Sequence, residues 1–252
     1  MKVDRLCVKG DGILNEDVIG FHFNVYWVID GATQLFDDEY CEMSGGVYWL
    51  VNKVNRLLPS FINNEDSLKT ILTKVLQEVK KSIDYYEDIE DLYKLPSFAI
   101  TMIRVHEDYL EYYALGDCGL LVDGLHIVDA RLMHYSNAKK VEYAHLEPLE
   151  LCQKIREGLN VDYWIGTIDG LGISKGLTGI VPIHKDSKIM LYTDGLLKVL
   201  EYNQLNLHQV GIDFTTIKEL VAYTFLKRDD LKAKDSLKLL DDTSAICIEL
   251  AY

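Results

Sequence analysis

Apolar residues along this chain change their spacing several times, and each change marks an element. Val25 to Ile29 reads Val-Tyr-Trp-Val-Ile and stops at Asp30-Gly31. A short run of β-branched and aromatic side chains bounded by a turn dipeptide predicts a buried strand. From Asp38 to Leu58 the spacing becomes helical, with Val47, Leu50, Val51, Val54, Leu57 and Leu58 on one face. Pro59 is expected to end that helix, because it lacks an N–H to donate. A second helix is predicted after Asn64, its apolar stripe formed by Ile71, Leu72, Val75, Leu76 and Val79. Both stripes read as core faces.

A strand-rich block follows. Phe98 to Val105, Tyr109 to Leu115, Leu120 to Val122 and His126 to Val128 are apolar β-prone runs separated by turn residues. Asp123-Gly124 between the last two is a two-residue hairpin signal, and the block predicts an antiparallel meander. Residues 131–160 are polar and mixed, with a short helix expected near Pro148 to Glu157. Strand signals return at Tyr163 to Gly166 and Lys188 to Tyr192. A helix is expected from Thr215 to Leu226, and a last strand from Ser244 to Leu250. Strands joined by hairpins, with helices in groups, predict an α+β fold of antiparallel sheets packed face to face and helices outside. A doubly wound parallel sheet would alternate strand and helix more regularly.

Composition narrows the function. The 252 residues carry no tract that reads as a linker, so one domain spanning 1–252 is expected. Forty acidic against 26 basic residues give a formal charge of −14, which repels polyanions and disfavours nucleic acid as a partner. Five cysteines without a Cys-x-x-Cys pair point to reduced thiols and a cytoplasmic protein rather than a disulfide scaffold or zinc site. Residues 1–12 lack a signal-peptide core, and no run approaches the roughly 20 apolar residues of a membrane span. Nucleotide-cradle motifs and a Cys-x5-Arg loop are absent from the sequence.

Acidic residues, in contrast, recur at strand ends: Asn15-Glu16-Asp17, Asp30-Gly31, Gly116-Asp117, Asp194-Gly195 and Asp241-Asp242. Any one Asp-Gly is most often a plain turn, and Asp123-Gly124 and Asp169-Gly170 are read that way. The others form a set of hard oxygen donors of the kind Mg²⁺ and Mn²⁺ prefer. Four charges on Glu16, Asp30, Asp194 and Asp241 would balance two divalent ions.

Read in order, these elements resemble the metal-dependent serine/threonine protein phosphatases of the type 2C (PPM) family, in its bacterial branch. The residues that carry the resemblance are Asn15-Glu16-Asp17, Trp27-Val28-Ile29-Asp30-Gly31-Ala32-Thr33, Gly116-Asp117-Cys118, Tyr192-Thr193-Asp194-Gly195-Leu196 and Asp241-Asp242-Thr243-Ser244-Ala245. Tyr163-Trp164-Ile165 and Leu177-Thr178-Gly179 also look like that branch. The resemblance implies a four-layer α-β-β-α sandwich with two Mg²⁺ or Mn²⁺ ions at one edge. It implies that Asp30 bridges both ions, Glu16 and the Gly31 carbonyl complete one shell, and Asp194 and Asp241 hold the other. Asp17 would hold an ion-bound water, and that water, rather than a side chain, would attack phosphorus. The implied substrates are phosphoserine and phosphothreonine proteins or a small phosphoester.

Three positions depart from the family's pattern. Gly12 stands where an Arg often grips the phosphate, leaving Lys9 and Arg5 as the nearby basic residues. Ala32 stands where some members have His. Lys198 stands where an Asp often shares a third metal with the counterpart of Asp117, which disfavours a third ion on Asp117. Gly12 and Lys198 motivate an alternative: a catalytically impaired phosphatase used as a binding or regulatory module. A third reading, a structural domain whose Asp-Gly pairs are all turns, requires those acids to stay apart.

Overall fold

The computed structural model describes residues 1–36, 46–82, 91–231 and 238–250. Asp38, where the first predicted helix was expected to begin, and Cys41 lie outside the described residues. In chain order the strands are β1 (Lys2–Val8), β2 (Asp17–His22), β3 (Val25–Gly31), β4 (Ser97–Val105), β5 (Tyr109–Leu115), β6 (Gly119–Val122), β7 (Leu125–Ile127), β8 (Gly166–Thr167), β9 (Leu177–Pro182), β10 (Lys188–Tyr192) and β11 (Thr243–Glu249). The α-helices are α1 (Gly46–Phe61), α2 (Leu68–Lys80), α3 (Arg131–Glu142), α4 (Pro148–Arg156), α5 (Asp194–Tyr202), α6 (Leu207–Val210) and α7 (Phe214–Leu226).

The strands form two antiparallel sheets. One has the order β1-β11-β10-β6-β7, the other β2-β3-β4-β5-β9, with β8 pairing to β4. Strand period decides the layering, since successive side chains point to opposite faces. Along β4, Ala99, Ile103 and Val105 face the other sheet, while Phe98, Ile100 and Met102 face helices. Between the sheets, Tyr26, Val28, Ile103 and Leu110 meet Leu120, Val122, Ile189, Leu191, Ile246 and Ile248. Outside one sheet, Trp27, Ile29 and Ile100 pack on the stripes of α1 and α2. Outside the other, Met190, Tyr192 and Cys247 pack on Leu196, Val199 and Leu200 of α5 and on Ile217 and Val221 of α7. The result is the expected four-layer α-β-β-α sandwich.

Several expectations shift at their edges. Helix α1 runs two residues past Pro59, to Phe61. A proline in the last turn removes one backbone donor where the helix is already closing, so its cost is small there. The strand signal at Tyr163 to Gly166 shrinks to an isolated bridge between Leu159 and Tyr163 and to the two residues of β8. Helix α3 was not legible, because none of its residues is buried and its sequence carries no apolar stripe. The Asp123-Gly124 hairpin is as expected, with both residues at positive φ (48° and 92°), as its tight turn requires.

Candidate metal centre

The two sheets end together on one side of the molecule, and the acidic motifs lie there. Asp17 opens β2 and pairs in register with Asp30 near the end of β3. Asp117 follows β5 in the turn to β6. Asp194 opens α5 directly after β10, in the first turn, where its charge also suits the helix N-terminus. Asp241 precedes β11. A cavity of about 150 Å³ at this edge is lined by Asp30, Gly31, Asp117, Asp194 and Asp241, with Ala32, Thr33, Ala99, Leu132 and Ile165 making up its wall. The structure therefore brings four of the predicted acids and Gly31 to one cavity. Glu16 sits beside it, and its backbone carbonyl accepts the Gly31 N–H at 3.1 Å.

The crowding shows in the charge states. Burial first, and then the charges of Asp17, Asp194, Asp117 and Asp241, push the Asp30 carboxyl well above the usual carboxylate range. Asp30 and Asp194 lie within hydrogen-bonding reach of each other. Asp117 is pushed up to about 7 by burial and by Asp194. Asp17 is 2% exposed, and burial raises it to about 8 despite the Thr193 hydroxyl, which donates to its Oδ2 at 2.7 Å. Desolvated carboxylates facing one another favour a proton or a cation between them. Asp30, Asp117 and Asp194 thus suit a divalent cation by donor type, and no described ion pair touches Asp30 or Asp117, while Asp194 has Lys198 at 3.9 Å.

The flank formed by Glu16 and Asp241 is different. Lys198, four residues after Asp194 on α5, donates to Asp241 Oδ2 and lies 3.9 Å from Asp194 Oδ2. Lys238 Nζ lies 3.3 Å from Asp241 Oδ1 and 3.7 Å from Glu16 Oε2. Burial alone would raise Asp241, but Lys198 and Lys238 outweigh it and hold the carboxyl below its ordinary value. Glu16 stays raised by burial, with Lys238 only partly opposing. Among the described residues no three His, Cys, Asp or Glu side chains converge as a ready ligand set.

Two features were missed from the sequence. Lys238 drew no attention, since a lone lysine outside a motif carries no signal. Asp242 was read only as a neighbour of Asp241, yet its carboxylate accepts the backbone N–H groups of Gly10 and Glu16, each at 2.7 Å. It clamps the segment bearing Glu16 to the strand that follows Asp241. Lys198 was found, and its i,i+4 spacing from Asp194 was the signal that could have predicted their contact. Asp123-Gly124 and Asp169-Gly170 are turns away from the cavity lining, as expected; Asp169 Oδ1 accepts the Leu171 N–H.

Among the described residues no helix is long and apolar enough to cross a membrane. The chain matches no protein-family model, and no curated protein matches it. Solved structures do match over its whole length. PppA, described as a key regulatory component of T6SS in Pseudomonas aeruginosa, aligns with a TM-score of 0.62 at 13% identity, covering 98% of this chain and 96% of that one. The Mycobacterium tuberculosis serine/threonine phosphatase PstP/Ppp aligns with a TM-score of 0.61 at 12% identity, covering 100% and 99%. Stp1, a serine/threonine phosphatase from Staphylococcus aureus, aligns with a TM-score of 0.59 at 14% identity, covering 100% and 95%. Sheet order, layering and these full-length alignments together establish that the chain has the fold of the bacterial PPM serine/threonine phosphatases.

Proposed function

We propose that the chain is a single catalytic domain that hydrolyses phosphomonoesters with the help of a divalent cation, Mg²⁺ or Mn²⁺. Its substrates on this reading are phosphoserine and phosphothreonine side chains of proteins, or a small phosphoester. The observation that carries the reading is that Asp30, Asp117, Asp194 and Asp241, from four distant segments, all line one cavity where both sheets end. The shared fold adds support, and one protein with it, the catalytic domain of PstP, is described in complex with two manganese ions.

Asp30, Asp117 and Asp194 would hold the cation. Bound there, it would supply Lewis-acid stabilisation of the phosphoryl oxygens and lower the pKa of water. The chain's own residues do the positioning. Asp17, fixed by Thr193, backs Asp30 from the adjacent strand. Leu132 and Ile165 give the cavity an apolar wall that limits water. Ala32 offers no proton, so nothing at that position protonates the leaving oxygen.

The test is hydrolysis of p-nitrophenyl phosphate and of a phosphothreonine peptide, with Mn²⁺ and with chelator. Turnover should require the metal and fall about 100-fold or more in Asp30→Asn, a loss of about 2.7 kcal/mol of transition-state stabilisation. A chain that folds normally but shows no turnover with either Mg²⁺ or Mn²⁺ would sink the proposal. That outcome would favour the second reading, an impaired phosphatase serving as a binding module. The contacts of Lys198 and Lys238 with Asp241 are what speak for it.

A further inference from the structure

Half of the acid centre carries cations of its own. The charges run in alternation, Glu16–Lys238–Asp241–Lys198–Asp194, and both oxygens of Asp241 face an ammonium group. Lys198 reaches the cavity edge because it stands one helical turn beyond Asp194, on the same face of α5. Lys238 Nζ lies beside Gly12, where a Cβ would stand 3.7 Å away in ordinary contact. Neither lysine hangs in open solvent, for both side chains are less than one-third exposed.

Two ammonium groups bring the same charge as one divalent ion. Bound Mg²⁺ needs carboxylate oxygens at about 2.0–2.1 Å, and here the oxygens of Asp241 already serve the lysines. An ion placed among them would also face two like charges a few ångströms away, in a partly desolvated setting where repulsion is weakly screened. The cavity side differs, since Asp30 and Asp117 touch no ammonium group in any described ion pair and Asp194 meets Lys198 only at 3.9 Å, farther than Asp241 does.

We propose that Lys198 and Lys238 take the place of a metal ion on the Glu16–Asp241 flank, so that the chain binds one divalent cation, on Asp30, Asp117 and Asp194. The PstP catalytic domain, with the same fold, is described with two manganese ions. The inference concerns the site invoked in the phosphatase reading, but it is decided by counting ions, with no turnover needed. Failure to hydrolyse phosphoesters would end that reading and leave the count standing.

The experiment titrates the full chain with Mn²⁺ and counts ions by native mass spectrometry and calorimetry. The variants are Lys198→Met, Lys238→Met and the double variant, since methionine keeps the length and packing of the stem. Wild type should bind one ion. The double variant should bind a second ion at least tenfold more tightly than wild type does. Without metal it should melt lower than wild type, because Glu16 and Asp241 lose their partners, and Mn²⁺ should restore it. Should the double variant fail to fold without metal, the Lys198→Met variant carries the same expectation in weaker form. Two ions of similar affinity in wild type, none at all, or a still single ion in the variants would each overturn the proposal.

Discussion

Gly31 has no room for a side chain. A Cβ there would stand 2.4 Å from Val47 Cγ1 on α1 and 2.9 Å from the Glu16 carbonyl oxygen. Gly31→Ala should therefore destabilise the fold by about 1–3 kcal/mol, as overpacking does. It should also weaken Mn²⁺ binding, because the shift falls on the residue next to Asp30, a proposed ligand; urea unfolding and metal titration read the two effects separately. Asp242 acts at the same scale. Asp242→Ala removes a carboxylate that accepts two backbone donors, each such charged hydrogen bond being worth about 1.5–3 kcal/mol. A loss of about 3 kcal/mol or more in chemical denaturation is expected, and a loss below about 1 kcal/mol would show that the clamp does not matter. The acids were legible residue by residue because each sits in a short motif at a strand end. Their charge compensation was not, since Lys238 meets Glu16 and Asp241 only once the chain has folded.

At the scale of elements, α2 shows what the sequence can carry. Ser67 caps it, its side chain accepting the Thr70 N–H, and Leu72 is fully buried against the sheet. Ser67→Ala should cost about 1 kcal/mol and Leu72→Ala about 2–5 kcal/mol, both read from urea midpoints. If the two costs were alike, α2 would owe little to its packing. The apolar spacing at 71, 72, 75, 76 and 79 announced this helix, and Asp123-Gly124 announced the β6–β7 hairpin. Helix α5 was readable in principle from Leu196, Val199 and Leu200, but the reading stopped at Asp194-Gly195 as a strand end. Gly195 is in fact inside the helix, where a Cβ would lie 2.0 Å from the Asp242 carbonyl oxygen. Helix α3 had no readable signal, because it buries nothing and so its sequence need not alternate.

Across the whole molecule, the sandwich places the acids, and the acids strain the sandwich. The formal charge of −14 and the crowding at the cavity oppose compaction in the absence of cations. A metal that binds only the folded chain should stabilise it by about 2.7 kcal/mol at 100 times its dissociation constant. Mn²⁺ should therefore raise the melting temperature and chelator should return it to the metal-free value. An unchanged melting temperature under saturating Mn²⁺ would argue that no ion is held. The layered fold was legible because hairpins and grouped helices leave few arrangements. How the cavity wall forms was not, because Leu132 stands on α3, which has no apolar stripe, and Ile165 falls in a strand signal that shrank to the two residues of β8.

The Asp242 clamp sets the order in which this centre can come into being. Glu16 is made early in synthesis and its tether 226 residues later. A nascent chain emerging from the ribosome would expose Asp30, Asp117 and Asp194 long before β11 can dock and draw the N-terminal segment into position. Because β11 also pairs with β10, the strand that leads into Asp194, the cavity that takes the ion should close only with the last strand, and a ribosome-stalled chain ending before Asp241 should capture it poorly.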